Sequence, residues 1–161
     1  MTAQFSERLS WNGKNLAMCS EPLGFWLSAN GRNLEFGMSS TACWRGYIGS
    51  WKIINDRLYL VGFEAVSEEG NPIGLEDLFP GYEKGVFAHW VTREVRCPQG
   101  KMLDYVHMGY ASTYEMDLYL TFSKGHLVSK RLETNGKAKE GSAEGYGVAA
   151  HVSFPIPKEG K

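Results

Sequence analysis

The chain has 161 residues, 43% of them hydrophobic and 22% charged, which suits one globular domain with a real core. Its 17 basic side chains meet 18 acidic ones for a net charge of −1, a balance that argues against non-specific duplex nucleic-acid binding, since that relies on an excess of Lys and Arg. No apolar run approaches the ~18 residues of a membrane span, and the three cysteines, at 19, 43 and 97, lack CxxC spacing and suit reduced thiols in a cytoplasm.

The opening "MTAQFSERLSWNGKN" has no apolar core of a secretory signal, which fits the cytoplasmic expectation. A weak strand is expected at 14–19, then a short helix at 22–31 halted by Asn30-Gly31, then another weak strand at 33–38. "WRGYIGSWKIINDRLYLVGFEAV" (44–66) has the period of two that marks strands, broken at Asn55-Asp56, a pair suited to a tight hairpin. Tyr47, Gly49, Trp51 and Ile53 share a face of the first arm; Tyr59, Val61, Phe63 and Ala65 share a face of the second.

A second helical turn or two is expected within 73–81, stopped before Pro80. "VFAHWVTREVRC" (86–97) and "KMLDYVHM" (101–108) are expected as a hairpin turning at Pro98–Gly100. In "YEMDLYLTF" (114–122), Tyr114, Met116, Leu118, Leu120 and Phe122 point one way and Glu115, Asp117, Tyr119 and Thr121 the other; "SKG" then turns into a strand at 126–133. Residues 134–147, rich in Gly, Lys, Glu and Ala, read as a mobile loop, and 148–154 as an edge strand before a proline-bearing tail. The expected architecture is therefore mainly β. It is a single domain over 1–133, with an antiparallel sheet folded as a sandwich or partly closed barrel and one or two short helices.

No motif announces catalysis. The histidines at 89, 107, 126 and 151 lack metal-site spacing, and neither GxSxG nor a phosphate loop is present, so no metal or cofactor is expected. The distinctive feature is a belt of aromatic and cationic residues: Arg45, Tyr47, Trp90, Arg93, Arg96, Tyr105, His107 and Tyr110. Arg offers a fixed fork of donors and aromatic rings offer stacking faces, so the belt suits a small anionic or nucleotide-like ligand. The same residue types anchor protein interfaces, and self-association is left open.

The leading expectation is a non-catalytic binding protein, of the small β-rich kind used in immunity or in countering defence, a placement by analogy alone. One alternative is a small hydrolase or lyase with His107 or His89 as base and Glu115 as the partnering carboxylate. The other is a structural subunit whose aromatics simply fill a core. Gly109 interrupts the pattern between Tyr105 and Ser112, and that break is where a site is expected first.

Overall fold

The computed structural model describes residues 4–32, 36–37, 43 and 45–142. The expected edge strand at 148–154 lies outside these residues, as do 143–147 and most of 33–38. Among the described residues nine strands form one mixed sheet that does not close into a barrel. They are β1 (Glu7–Trp11), β2 (Lys14–Met18), β3 (Tyr47–Ile54), β4 (Arg57–Val66), β5 (Pro72–Ile73), β6 (Val86–Phe87), β7 (Arg93–Asp104), β8 (Thr113–Ser123) and β9 (His126–Thr134). The helices are short: α1 (Leu23–Ala29) and α2 (Leu75–Leu78).

The main path runs β2-β1-β3-β4-β9-β8-β7, with β5 and β6 paired to β4 off that path. All named pairs are antiparallel except β1 with β3, where Arg8, Leu9 and Ser10 lie parallel to Ser50, Trp51 and Lys52. The long connection through β2 and α1 makes this parallel return possible, since a hairpin cannot. The two ends of the path curl toward each other, and the Cys19 N–H donates to the Arg96 carbonyl (2.8 Å).

Tight turns set the registers. Asn55 (φ 51°) and Asp56 (φ 58°) are both left-handed, as a two-residue type I′ hairpin needs, and Asn12-Gly13 repeats the device between β1 and β2. On β8 the expected alternation holds in part: Leu118, Leu120 and Phe122 are buried in a core that includes Leu9, Trp51, Leu58, Leu60, Val95 and Cys97. Tyr114 is buried too, but Met116 is only half-buried and Asp117, expected to face outward, is buried.

Two expectations are corrected. On β4 the faces switch midway, because Trp51 pairs with Leu60 while Ser50 pairs with Gly62, leaving Val61 as the extra residue of a bulge. Leu58 and Leu60 therefore point inward before it, and Phe63 and Ala65 after it. The second correction concerns Pro98–Gly100. It is not a hairpin turn: β7 runs through it to Asp104, pairing with β8 on both sides of an irregularity between Gln99 and Met102. Gly100 (φ 82°) makes that bulge, and a Cβ there would sit 2.9 Å from the Glu115 Cβ. The strand expected at 86–97 is instead split, with β6 ending at Phe87 and β7 starting at Arg93.

Candidate functional site

The expected belt separates into four places. Because β7 is one extended strand, Arg93 at its start and Tyr105 beyond its end are up to about 40 Å apart along it, at about 3.3 Å per residue. Arg93 is exposed at one end. At the other, Tyr105 and His107 are exposed and bonded to each other, hydroxyl to Nδ1 at 2.7 Å. His89 is exposed and stands edge-on to Trp90 (5.5 Å between centroids). Among the described residues no carboxylate bonds either imidazole, and no group of three or more His, Cys, Asp or Glu is placed to hold a metal.

Trp90 belongs to a core wall. It stacks on Phe79 (5.7 Å), meets Trp26 and Trp51, and donates its indole N–H to the Pro22 carbonyl (3.0 Å). Such a partner is what a half-buried indole needs, and it ties α1 to the loop between β6 and β7.

Arg96 is the hub of the loop that carries Gly109. Its Nε donates to Asp117 Oδ1 (2.8 Å), and its two terminal nitrogens donate to the carbonyls of Tyr110 (2.8 Å) and Ser112 (3.0 Å). Asn135 bonds the other Asp117 oxygen (2.9 Å). The guanidinium thus spends its donors on pinning loop 105–112. Glu115 is engaged in the same way, accepting the N–H of Lys101 (2.7 Å) and of Ala138 (3.1 Å). These two backbone bonds hold its carboxyl below the usual glutamate pKa.

Arg45 and Tyr47 build the remaining place. β1 and β3 lie side by side, and β1's inward face carries Glu7, Leu9 and Trp11 by alternation. Glu7 is fully buried, yet every bond it accepts is accounted for: the Gly49 N–H (2.7 Å), the Trp51 indole N–H (3.4 Å) and Arg45 Nη2 (2.9 Å). Burial raises the Glu7 pKa, and Arg45 with the two N–H groups opposes that rise. Burial lowers the Arg45 pKa, but Glu7, Tyr110, Cys43 and Glu21 together outweigh it and raise the value. Gly49 is what lets the carboxylate in, since a Cβ there would lie 2.6 Å from Glu7 Oε1.

Arg45 Nη1 donates to the Phe5 carbonyl (2.9 Å), which also accepts the Tyr110 hydroxyl (3.2 Å). The guanidinium lies over the Tyr47 ring at 5.5 Å. Beside this cluster is an open cavity of about 370 Å³ lined by Glu21, Gly24, Leu27, Ser28, Phe36, Arg45 and Tyr47. Two features mark it. Arg45 Nε is buried without a hydrogen-bond partner, although a Glu21 oxygen stands 3.6 Å away in an ion pair. Phe36 and Tyr47 line it with two aromatic rings packed against each other, their centroids 5.7 Å apart at a 60° tilt.

Of the belt, then, the structure joins Arg45, Tyr47 and Tyr110 around the Phe5 carbonyl, and links Arg96 to them through the Tyr110 backbone. Trp90, Arg93 and the Tyr105–His107 pair stand elsewhere. Sequence reasoning missed Glu7, Glu21 and Asp117. Glu7 had a usable signal, because it shares the inward alternation of Leu9 and Trp11. Gly49 amid Tyr47, Trp51 and Ile53 was the complementary sign, a gap on a face of large residues.

Compared with protein-family models, with curated proteins and with solved structures, the chain matches none. Among the described residues no helix is long and apolar enough to cross a membrane.

Proposed function

We propose that the protein is a non-catalytic binding protein whose site is the Glu21–Arg45–Tyr47 cavity. The observation that carries this reading is the place of Arg45 on the cavity lining, beside Glu21, whose carboxyl stands 3.6 Å from Arg45 Nε without a hydrogen bond between them.

Charge narrows the ligand. Arg45 already faces Glu7 at 2.9 Å and Glu21 at 3.6 Å, so its positive charge is engaged by two carboxyl groups. An anion, nucleotide-like or otherwise, would meet a cation already matched, with Glu21 beside it. The better fit is a small neutral or cationic group with a donor for Glu21, such as an amide, with its apolar body against Leu27 and Phe36. The cavity is of a size for a fragment rather than a large cofactor. The arrangement offers binding and orientation. His89 and His107, the bases an enzyme reading would use, lie outside the cavity lining.

The test is a ¹H–¹⁵N NMR titration of the full chain with benzamide. Shifts centred on Gly24, Tyr47 and the Arg45 Nε–H support the reading, and their loss in Y47A ties them to the cavity. Saturable shifts confined to another surface would refute it.

A further inference from the structure

We infer that the outer edge of β9 is a self-pairing surface, at which two copies of this chain join their sheets with a two-fold axis at Leu132. The edge is open: β9 pairs with β8 along its length, but among the described residues it meets β4 only where Arg57 stands opposite His126. Beyond that point β4 takes β6 as its neighbour, through Tyr59–Phe87 and Leu60–Val86. Val128 and Leu132 are then 60% and 55% exposed, unusual for aliphatic side chains on a strand of this sheet.

The backbone fixes which groups the edge offers. The Asn135 N–H points to β8, where it bonds the Glu115 carbonyl (2.8 Å). By alternation Glu133 and Arg131 also bond toward β8, so Thr134, Leu132 and Lys130 turn their N–H and C=O groups outward. In an antiparallel pairing of two β9 strands about Leu132, outward residues meet outward residues. Leu132 stands opposite Leu132 of the second copy, and Lys130 opposite Thr134 of the second copy.

The side chains agree with that register. Between these hydrogen-bonded pairs, Arg131 falls opposite Glu133 of the second copy, and the symmetry makes the contact twice. In one chain Arg131 already pairs with its own Glu133 and with Glu94 (3.1 Å), and it lies over the Tyr119 ring at 4.1 Å. Both ends of the new pair are therefore about half exposed and prearranged at the edge. The register two residues away, with its axis at Lys130, would set Lys130 against itself and is disfavoured. An edge of this length buries a small area, so the association is weak, with a dissociation constant on the order of micromolar or above.

The experiment is sedimentation of the full chain across a concentration series, for wild type, R131E, E133R and an equimolar mixture of the two variants. Wild type is expected to dimerise as concentration rises. Each single variant places like charges opposite each other and should weaken self-association at least about tenfold. The mixture, an acidic edge against a basic one, should restore dimer. Wild type that stays monomeric at millimolar concentration, single variants that dimerise as wild type does, or a mixture that fails to associate would each overturn the inference. Amide exchange supplies a second reading that needs no variant. Protection of the Leu132 N–H should rise with protein concentration while that of Arg131 stays constant, and a concentration-independent Leu132 would count against the pairing.

Discussion

Replacing Glu7 with Ala is the sharpest perturbation of the interior. The carboxylate is fully buried and accepts from Arg45, Gly49 and Trp51, while the Arg45 side chain is itself 8% exposed. Removing one partner of such a pair leaves the other charge buried, which costs about 3–5 kcal/mol. For a domain of this size that is a fall in Tm of roughly 6–20 °C. Urea unfolding of wild type, E7A, R45A and the double variant closes a thermodynamic cycle. Once Arg45 is also gone the orphaned charge disappears, so the double variant should be less destabilised than the sum of the singles, by about 2–3 kcal/mol. Additive single effects, or an E7A loss below about 1 kcal/mol, would refute the claim that Glu7 and Arg45 form one buried unit.

Gly49→Ala pushes a methyl to within 2.6 Å of Glu7 Oε1 and 2.9 Å of the Trp51 indole nitrogen, so it should destabilise by about 1–3 kcal/mol in the same unfolding assay; a neutral outcome would contradict the tight seat. Glu115 has its folded pKa lowered by the Lys101 and Ala138 N–H groups. Its contribution to stability is therefore present above the ordinary glutamate pKa and lost as pH falls through the folded value. A carboxyl ¹³C titration should place its midpoint below that of an unperturbed glutamate, and a midpoint above it contradicts the two bonds. Cys97 is fully buried and has its thiol pKa pushed up to about 12 by that burial, so at pH 8 it should react with a thiol reagent only as the protein opens; immediate reaction of Cys97 in the native chain would show that it is reachable.

Local patterns made the β3–β4 hairpin, β8 and β9 legible, because period-two alternation and left-handed turn residues act over a few positions. The bulges were not legible. Val61 and Gly100 each add a residue to a strand, and nothing in the flanking composition distinguishes a bulge from a turn. At Pro98–Gly100 the deciding partner is Glu115, fifteen residues on from Gly100, whose carboxylate holds the Lys101 N–H. The site was legible only in part for the same reason. Arg45 and Tyr47 stand out by residue type, but what they can bind depends on Glu7 and Glu21, which reach them only through the parallel pairing of β1 with β3 and the placement of the segment entering α1. Arg96 looked like a ligand-binding cation until its three acceptors were seen: one carboxylate and two loop carbonyls.

The central claim is that the cavity beside Arg45 selects a neutral or cationic group over an anion. It is tested most directly by titrating the full chain with benzamidine, benzamide and benzoate, three probes of one shape and three charges, and following the Arg45 Nε–H resonance. Benzamidine and benzamide should each move it with affinities in the millimolar range expected of fragments, and benzoate should bind several-fold more weakly. Benzoate binding as tightly as benzamide, or more tightly, would contradict the account.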